Sequence, residues 1–145
     1  MAWSIENGIT FGTRHTYDDW HMYLKKRPFV TPPKVKTNYV NVPGADGQID
    51  LTEALGAVRF EAREFEAELY MVDGLDDWDS VLSDVLNTIQ GKRVAMIFDT
   101  DPTYQWSGRF YVEKVESRRL GMTMTIKGTV DPYKTLISDG SVKSL

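Results

Sequence analysis

Apolar residues along this 145-residue chain recur mostly at every second position, and once at helical spacing. The cleanest alternation runs from Leu120 to Val130. Leu120, Met122, Met124, Ile126 and Val130 share one face, while Thr123, Thr125, Lys127 and Thr129 share the other, the signature of a strand with one side on a core. Arg93–Phe98 and Gln105–Val115 read as the two strands before it. Val58–Val72 reads as a long strand with a fault: Phe60 and Ala62 have one parity, Phe65, Ala67, Leu69 and Met71 the other. One extra residue near Arg63–Glu64 reconciles the halves, so a β-bulge or sharp bend is expected there. Leu75–Gln90 is the exception. Trp78, Val81, Leu82, Val85, Leu86 and Ile89 form a single helical stripe, with Asp73 or Asp76 available to cap its start and Gly91-Lys92 to end it.

The N-terminal third is less regular. Trp3–Phe11 reads as a hairpin around Asn7-Gly8, burying Trp3, Ile5, Ile9 and Phe11 on one face. Residues 13–19 read as a loop and Trp20–Val30 as mixed, extended chain, stopped by Thr31-Pro32-Pro33. Val35–Val42 reads as a strand, Pro43–Gly47 as a tight loop whose glycines accept positive φ, and Gln48–Glu53 as a short extended piece. Asp131-Pro132-Tyr133 closes the last strand, and residues 136–145 are expected to form a flexible tail. Many strands and one helix make the chain mainly β: a sandwich or open barrel with the helix at about 75–90 packed against it, over a single domain at residues 1–135.

Composition agrees with that plan. Hydrophobic residues at 41% and charged residues at 26% are ordinary for a globular domain, and 12% aromatics favour a β core. The absence of cysteine removes disulfides and thiolate metal sites. Met1–Asn7 does not read as a secretion signal, and no apolar run nears the roughly 20 residues of a membrane helix, so no membrane insertion is expected. Charge is laid out in blocks. Residues 1–45 carry six basic and three acidic residues, residues 46–101 four and fourteen, and residues 102–145 seven and four. A basic–acidic–basic chain is a poor nucleic-acid binder and suits a surface that meets a copy of itself; simple solvation is the plainer reading.

Chemistry is hard to find. His15 and His21 sit in no metal-ligand spacing, and there is no nucleophile elbow, phosphate loop or dinucleotide fingerprint. Glu64, Glu66 and Glu68 resemble paired carboxylates of glycoside hydrolysis, but alternation with Phe65, Ala67 and Leu69 also describes a solvent-facing strand. Asp99 and Asp101 hint at a calcium loop without its later ligands. Tyr104, Trp106, Phe110 and Tyr111 would suit a sugar-binding face, though alternation assigns Trp106 and Phe110 equally well to a core. No cofactor, metal or catalytic residue is expected.

The segment Lys34–Glu53 resembles the distal tail proteins of long-tailed phages and related prophage tails. These carry a strand ending in Val-x-Val-Pro-Gly, then one or two charged residues, then Gly-x-x-Asp-Leu-Thr. The matching positions are Val40, Val42, Pro43, Gly44, Asp46, Gly47, Asp50, Leu51 and Thr52. Ala45-Asp46 departs from the usual Arg-Asp pair, and Asp131-Pro132-Tyr133 also fits the end of such a domain. The resemblance implies a β-sandwich with one helix and a structural, non-enzymatic role in the virion tail, after assembly in the host cytoplasm. It implies a ring, typically a hexamer, binding the tail tube protein above and the tail-tip or baseplate hub protein below. The tape-measure protein and DNA would pass through its lumen without sequence-specific binding. On that reading the acidic segment meets the basic flanks of the next copy, and Glu64, Glu66 and Glu68 keep the lumen repulsive to DNA. A tail tube or tail-terminator ring and a carbohydrate-binding β-sandwich are the alternatives.

Overall fold

A computed structural model describes residues 7–54, 56–71, 75–118 and 121–145. The architecture is mainly β with one helix. Strands β1 (Ile9–Phe11), β2 (Arg14–His15), β3 (Tyr23–Leu24), β4 (Phe29–Val30), β5 (Tyr39–Asn41), β6 (Gln48–Asp50) and β7 (Arg63–Met71) precede helix α1 (Trp78–Ile89). Then come β8 (Arg93–Phe98), β9 (Tyr104–Arg118), β10 (Gly121–Val130), β11 (Lys134–Leu136) and β12 (Asp139–Ser144). One antiparallel sheet runs in the order β2-β1-β8-β9-β10-β7-β3, with β4 also on β7, and with β11 joining β12 to β9. Strands β5 and β6 pair only with each other.

The sheet is curled. Strands β1 and β7 are four ladder steps apart, roughly 19 Å if the sheet were flat. Yet Phe11 and Phe65 lie 6.3 Å apart between ring centroids, and each meets Phe110, at 5.1 and 5.6 Å. The two ends of the sheet therefore fold toward each other around one core of Ile9, Phe11, Phe65, Leu69, Met96, Trp106, Phe110, Met124 and Ile126. The sheet does not close into a barrel. The gap between its ends is covered by residues 16–22, where Trp20 and Met22 are buried, and where Trp20 Nε1 donates to Asp84 Oδ2 at 2.7 Å to tie that segment to α1.

Helix α1 follows a 3-10 turn, Leu75–Asp77, and buries Trp78, Val81, Val85 and Ile89. Leu86, expected in the stripe, lies at its edge, 37% exposed. The N-cap residue is Asp77, whose side chain makes no capping bond; Asp76 belongs to the turn before it, and Asp73 lies outside the described residues. Gly91, at φ 72°, ends the helix as expected, and Lys92 Nζ donates to the Asn87 carbonyl.

Several expectations need correction. Strand β7 pairs with β10 in unbroken register from Arg63↔Val130 to Met71↔Met122, so it carries no bulge. The parity change falls where the chain leaves the sheet: Phe60 bridges Val35 instead and packs on Tyr133. The register shift lies in β9, where Lys114 faces Thr125 and Val112 faces Ile126, leaving Glu113 as the extra residue. Thr123 and Thr125, assigned to the polar face, are only 7% and 2% exposed. Their register partners are Tyr70 and Glu116, and Glu68 and Lys114, whose longer side chains flank the short threonines. Residues 136–145, expected to be a flexible tail, contain most of a hairpin, because β11 extends the sheet beside Tyr104 and Gln105 and β12 pairs with it. The loop expected at 13–19 begins with β2, and Val35–Val42 is a strand only over Tyr39–Asn41. Of the N-terminal hairpin, Ile9 and Phe11 are buried as expected; Trp3 and Ile5 lie outside the described residues.

Candidate interaction surface

The stretch from 34 to 61 leaves the sheet as an arm. Its stem is the Val35↔Phe60 bridge, flanked by Lys36 N–H to Arg59 O and Glu61 N–H to Lys34 O, both 2.8 Å. Beyond it β5 and β6 form a hairpin in the register Tyr39↔Asp50, Val40↔Ile49, Asn41↔Gln48. The alternation of the ribbon puts Val40, Val42, Ile49 and Leu51 on one face, and Tyr39, Asn41, Gln48 and Asp50 on the other. This is an amphipathic ribbon whose apolar face is left exposed: those four residues are 37–49% exposed.

All nine positions singled out in the sequence, Val40, Val42, Pro43, Gly44, Asp46, Gly47, Asp50, Leu51 and Thr52, lie together on this arm. The turn is set by Gly44 and Gly47, at φ 81° and 71°, and by Ala45 N–H to Val42 O at 3.1 Å. Asp50 anchors the return strand: its Oδ1 accepts from Thr52 N–H at 2.9 Å and from the Thr52 hydroxyl. The hydroxyl bond, with the backbone bond second, holds the Asp50 carboxyl below its ordinary pKa. Thr52 Oγ1 also accepts from Asn38 N–H, and Leu51 N–H donates to Asn38 O. The polar motif residues thus shape the hairpin, and the apolar ones form its face.

The groups that suggested chemistry have structural employment. Asp99 Oδ2 accepts from Gly8 N–H at 2.9 Å and from His15 Nε2 at 2.8 Å, while His15 Nδ1 accepts from the backbone N–H groups of Tyr17 and Asp18. Asp101 pairs with Lys134 at 2.7 Å, and Lys134 lies over the Tyr104 ring. Trp106 and Phe110 are core, which removes half of the aromatic set from any sugar-binding face; Tyr111 is 45% exposed. Arg63 stacks on Trp106 at 4.8 Å and donates to the Thr31 carbonyl, and burial lowers its pKa. Glu64, Glu66 and Glu68 face outward as expected for a solvent-facing strand, but the row is not purely acidic. Lys25 reaches Glu68 at 3.9 Å, and Lys127 pairs with Glu113 at 3.0 Å beside Glu66. Among the described residues no group of three or more His, Cys, Asp or Glu is placed to hold a metal ion.

A groove of about 320 Å³ opens on the outer face of the sheet. Lys26, Arg27, Pro28 and Thr31 form one wall; Glu64, Glu66, Tyr111, Lys127 and Thr129 line the rest. The sequence had no means of revealing this groove, since its walls come from four separate segments.

No protein-family model matches the sequence, and no curated protein matches it. Among solved structures, the chain is similar to the Dit protein of phage SPP1, described as a paradigm of the hub adsorption apparatus of phages infecting Gram-positive hosts. The TM-score is 0.67 at 16% identity, covering 90% of this chain and 52% of that one. The chain thus spans about half the length of that protein and shares its fold over that span.

Proposed function

We propose that this chain is a structural component of a phage tail: a ring-forming protein at the distal end of the tail, joining the tail tube to the tail-tip or baseplate hub. One observation carries the reading. A hub-like fold holds out a hairpin whose apolar face, Val40, Val42, Ile49 and Leu51, is 37–49% exposed. Soluble monomers seldom keep a contiguous apolar face exposed, and such a face marks a protein interface. Nothing on the arm suits catalysis; its polar residues build the turn.

On this reading the curled sheet, with the C-terminal hairpin that pairs to it, forms the ring domain, and copies meet head to tail, commonly six to a ring. The tube protein docks on one side and the hub protein on the other. The tape-measure protein and DNA pass through the lumen without sequence-specific contacts. The chain is then no enzyme, needs no cofactor, and belongs to the virion tail after assembly in the host cytoplasm.

Light-scattering mass combined with negative-stain microscopy, at high protein concentration and low salt, tests the proposal. Annular particles with a central hole and a mass near six copies are the expected result. A monomer at every concentration, with no ring on co-expression with tube and hub proteins, overturns it.

A further inference from the structure

The stem of the arm carries its cations in an unfavourable arrangement. The Val35↔Phe60 bridge and its two flanking hydrogen bonds fix the register, so Lys36 lies opposite Arg59 and Lys34 opposite Glu61. Like charges directly opposite each other destabilise an antiparallel pair. Alternation puts these four residues on one face of the stem, three cations and one carboxylate. Val35 and Phe60 take the other face, where Phe60 packs on Tyr133. All four charged residues are exposed, and among the described residues no hydrogen bond or ion pair engages the side chain of Lys34, Lys36 or Arg59.

The start of α1 has the opposite sign. Asp76 and Asp77 of the 3-10 turn and Asp79 of the first helical turn are exposed. Acids here complement the helix dipole. Asp77 is nevertheless an N-cap whose side chain makes no capping bond. No cation of the described residues reaches any of the three, and Arg14 is committed to Asp19 and Asp84 instead.

We infer that the cationic stem of one copy docks on the acidic start of α1 in a second copy, Lys36 and Arg59 lying against Asp77 and Asp79. The two patches are unlike, lie on different elements of one chain, and do not pair within it, which is what a head-to-tail contact requires. An anionic surface turns the Lys36–Arg59 juxtaposition from a cost into a device that steers and registers the neighbour. Three cations beside a carboxylate are few for a nucleic acid, which is held through many phosphate contacts. The inference rests on the ring-forming reading above and names a contact through which it works.

Charge reversal tests it. One chain carries Lys36→Glu with Arg59→Glu, another Asp77→Lys with Asp79→Lys, and association is followed by light scattering at low salt beside a thermal melt of each. Each chain alone should associate roughly tenfold more weakly than the native one, the scale of two exposed charge pairs made repulsive. Mixing the two should restore association, because in alternating copies every stem then meets an opposite charge. Rings formed by both reversed chains as readily as by the native one overturn the contact and leave the ring reading intact. Weakened chains that mixing does not restore overturn the pairing of these two patches. Where a reversed chain melts early, the cysteine-free sequence allows a second readout, Lys36→Cys mixed with Asp79→Cys under mild oxidation. An interchain 36–79 disulfide supports the contact, and rings without one overturn it. A native chain that stays monomeric at every concentration, and forms no ring on co-expression with tube and hub proteins, overturns both readings.

Discussion

Gly128 shows how one residue sets the packing of the core. A Cβ there would lie 2.4 Å from Phe110 Cδ1 and 2.7 Å from the Arg109 carbonyl oxygen. The ring of Phe110 occupies the space that any other residue would need, and it holds both Phe11 and Phe65 at edge-to-face geometry. Gly128→Ala should therefore destabilise the protein by about 1–3 kcal/mol, read as a lower urea midpoint with unchanged slope. Asp50 works at the same scale on the arm. Its pKa is depressed in the folded hairpin by Thr52, so the stabilisation is present above the ordinary carboxylate range and is lost as pH falls through the depressed value. Amide shifts of Asn38, Leu51 and Thr52 followed by NMR should move together below that range, and Asp50→Ala should abolish the transition. The turn residues of this hairpin were legible because Gly and Asp act locally. The role of Gly128 was not, because the alternation marks it only as a missing side chain and does not say which ring covers it.

At the scale of elements, the helix follows its periodicity closely because it buries one face, and Met124, Ile126 and Val130 of β10 lie in the core as their alternation predicts. The arm is different: it alternates as cleanly as a core strand yet leaves its apolar face exposed. Sequence pattern identifies an apolar face but not the molecule that covers it. Ile49→Ser, paired with Leu51→Ser, should leave thermal stability nearly unchanged, since both side chains are already exposed at 49% and 37%, while weakening self-association. Sedimentation equilibrium beside a thermal melt separates the two effects. A large fall in melting temperature would mean that the hairpin face supports the fold itself. The bulge, one of the two alternatives (bulge or sharp bend) expected at Arg63–Glu64, shows the opposite error. A change of parity has two causes, an inserted residue or the end of a strand, and here the chain exits toward Val35. The C-terminal segment was misread because small polar residues lack an apolar signal; β11 is held by backbone pairing to β9, which composition does not report.

For the molecule as a whole, the charge blocks acquire positions. Asp76, Asp77, Asp79 and Asp84 lie on or just before α1, and Arg14 reaches both Asp19 and Asp84. Lys34, Lys36 and Arg59 belong to the stem of the arm, and Lys26 and Arg27 to the groove. Contacts between unlike patches of neighbouring copies should weaken with salt. Raising ionic strength from about 0.01 M to about 1 M shortens the Debye length from about 30 Å to about 3 Å. Self-association should then be roughly tenfold weaker, measured by light scattering across a salt series. Unchanged association would assign the contact to the apolar face alone.

By itself the sequence determined the mainly β class, the helix, the glycine turn at 43–47 and the clustering of the nine motif positions, because periodicity and turn chemistry are short-range properties of the chain. Only the tertiary structure decided that the sheet curls without closing and that residues 16–22 cover its gap. It also decided that Trp106 and Phe110 point inward, that the motif stands off the core on an arm, and that Lys26, Arg27, Tyr111 and Lys127 share one groove. Each of these depends on contacts between segments distant in sequence, and their geometry is set by packing that no local pattern encodes.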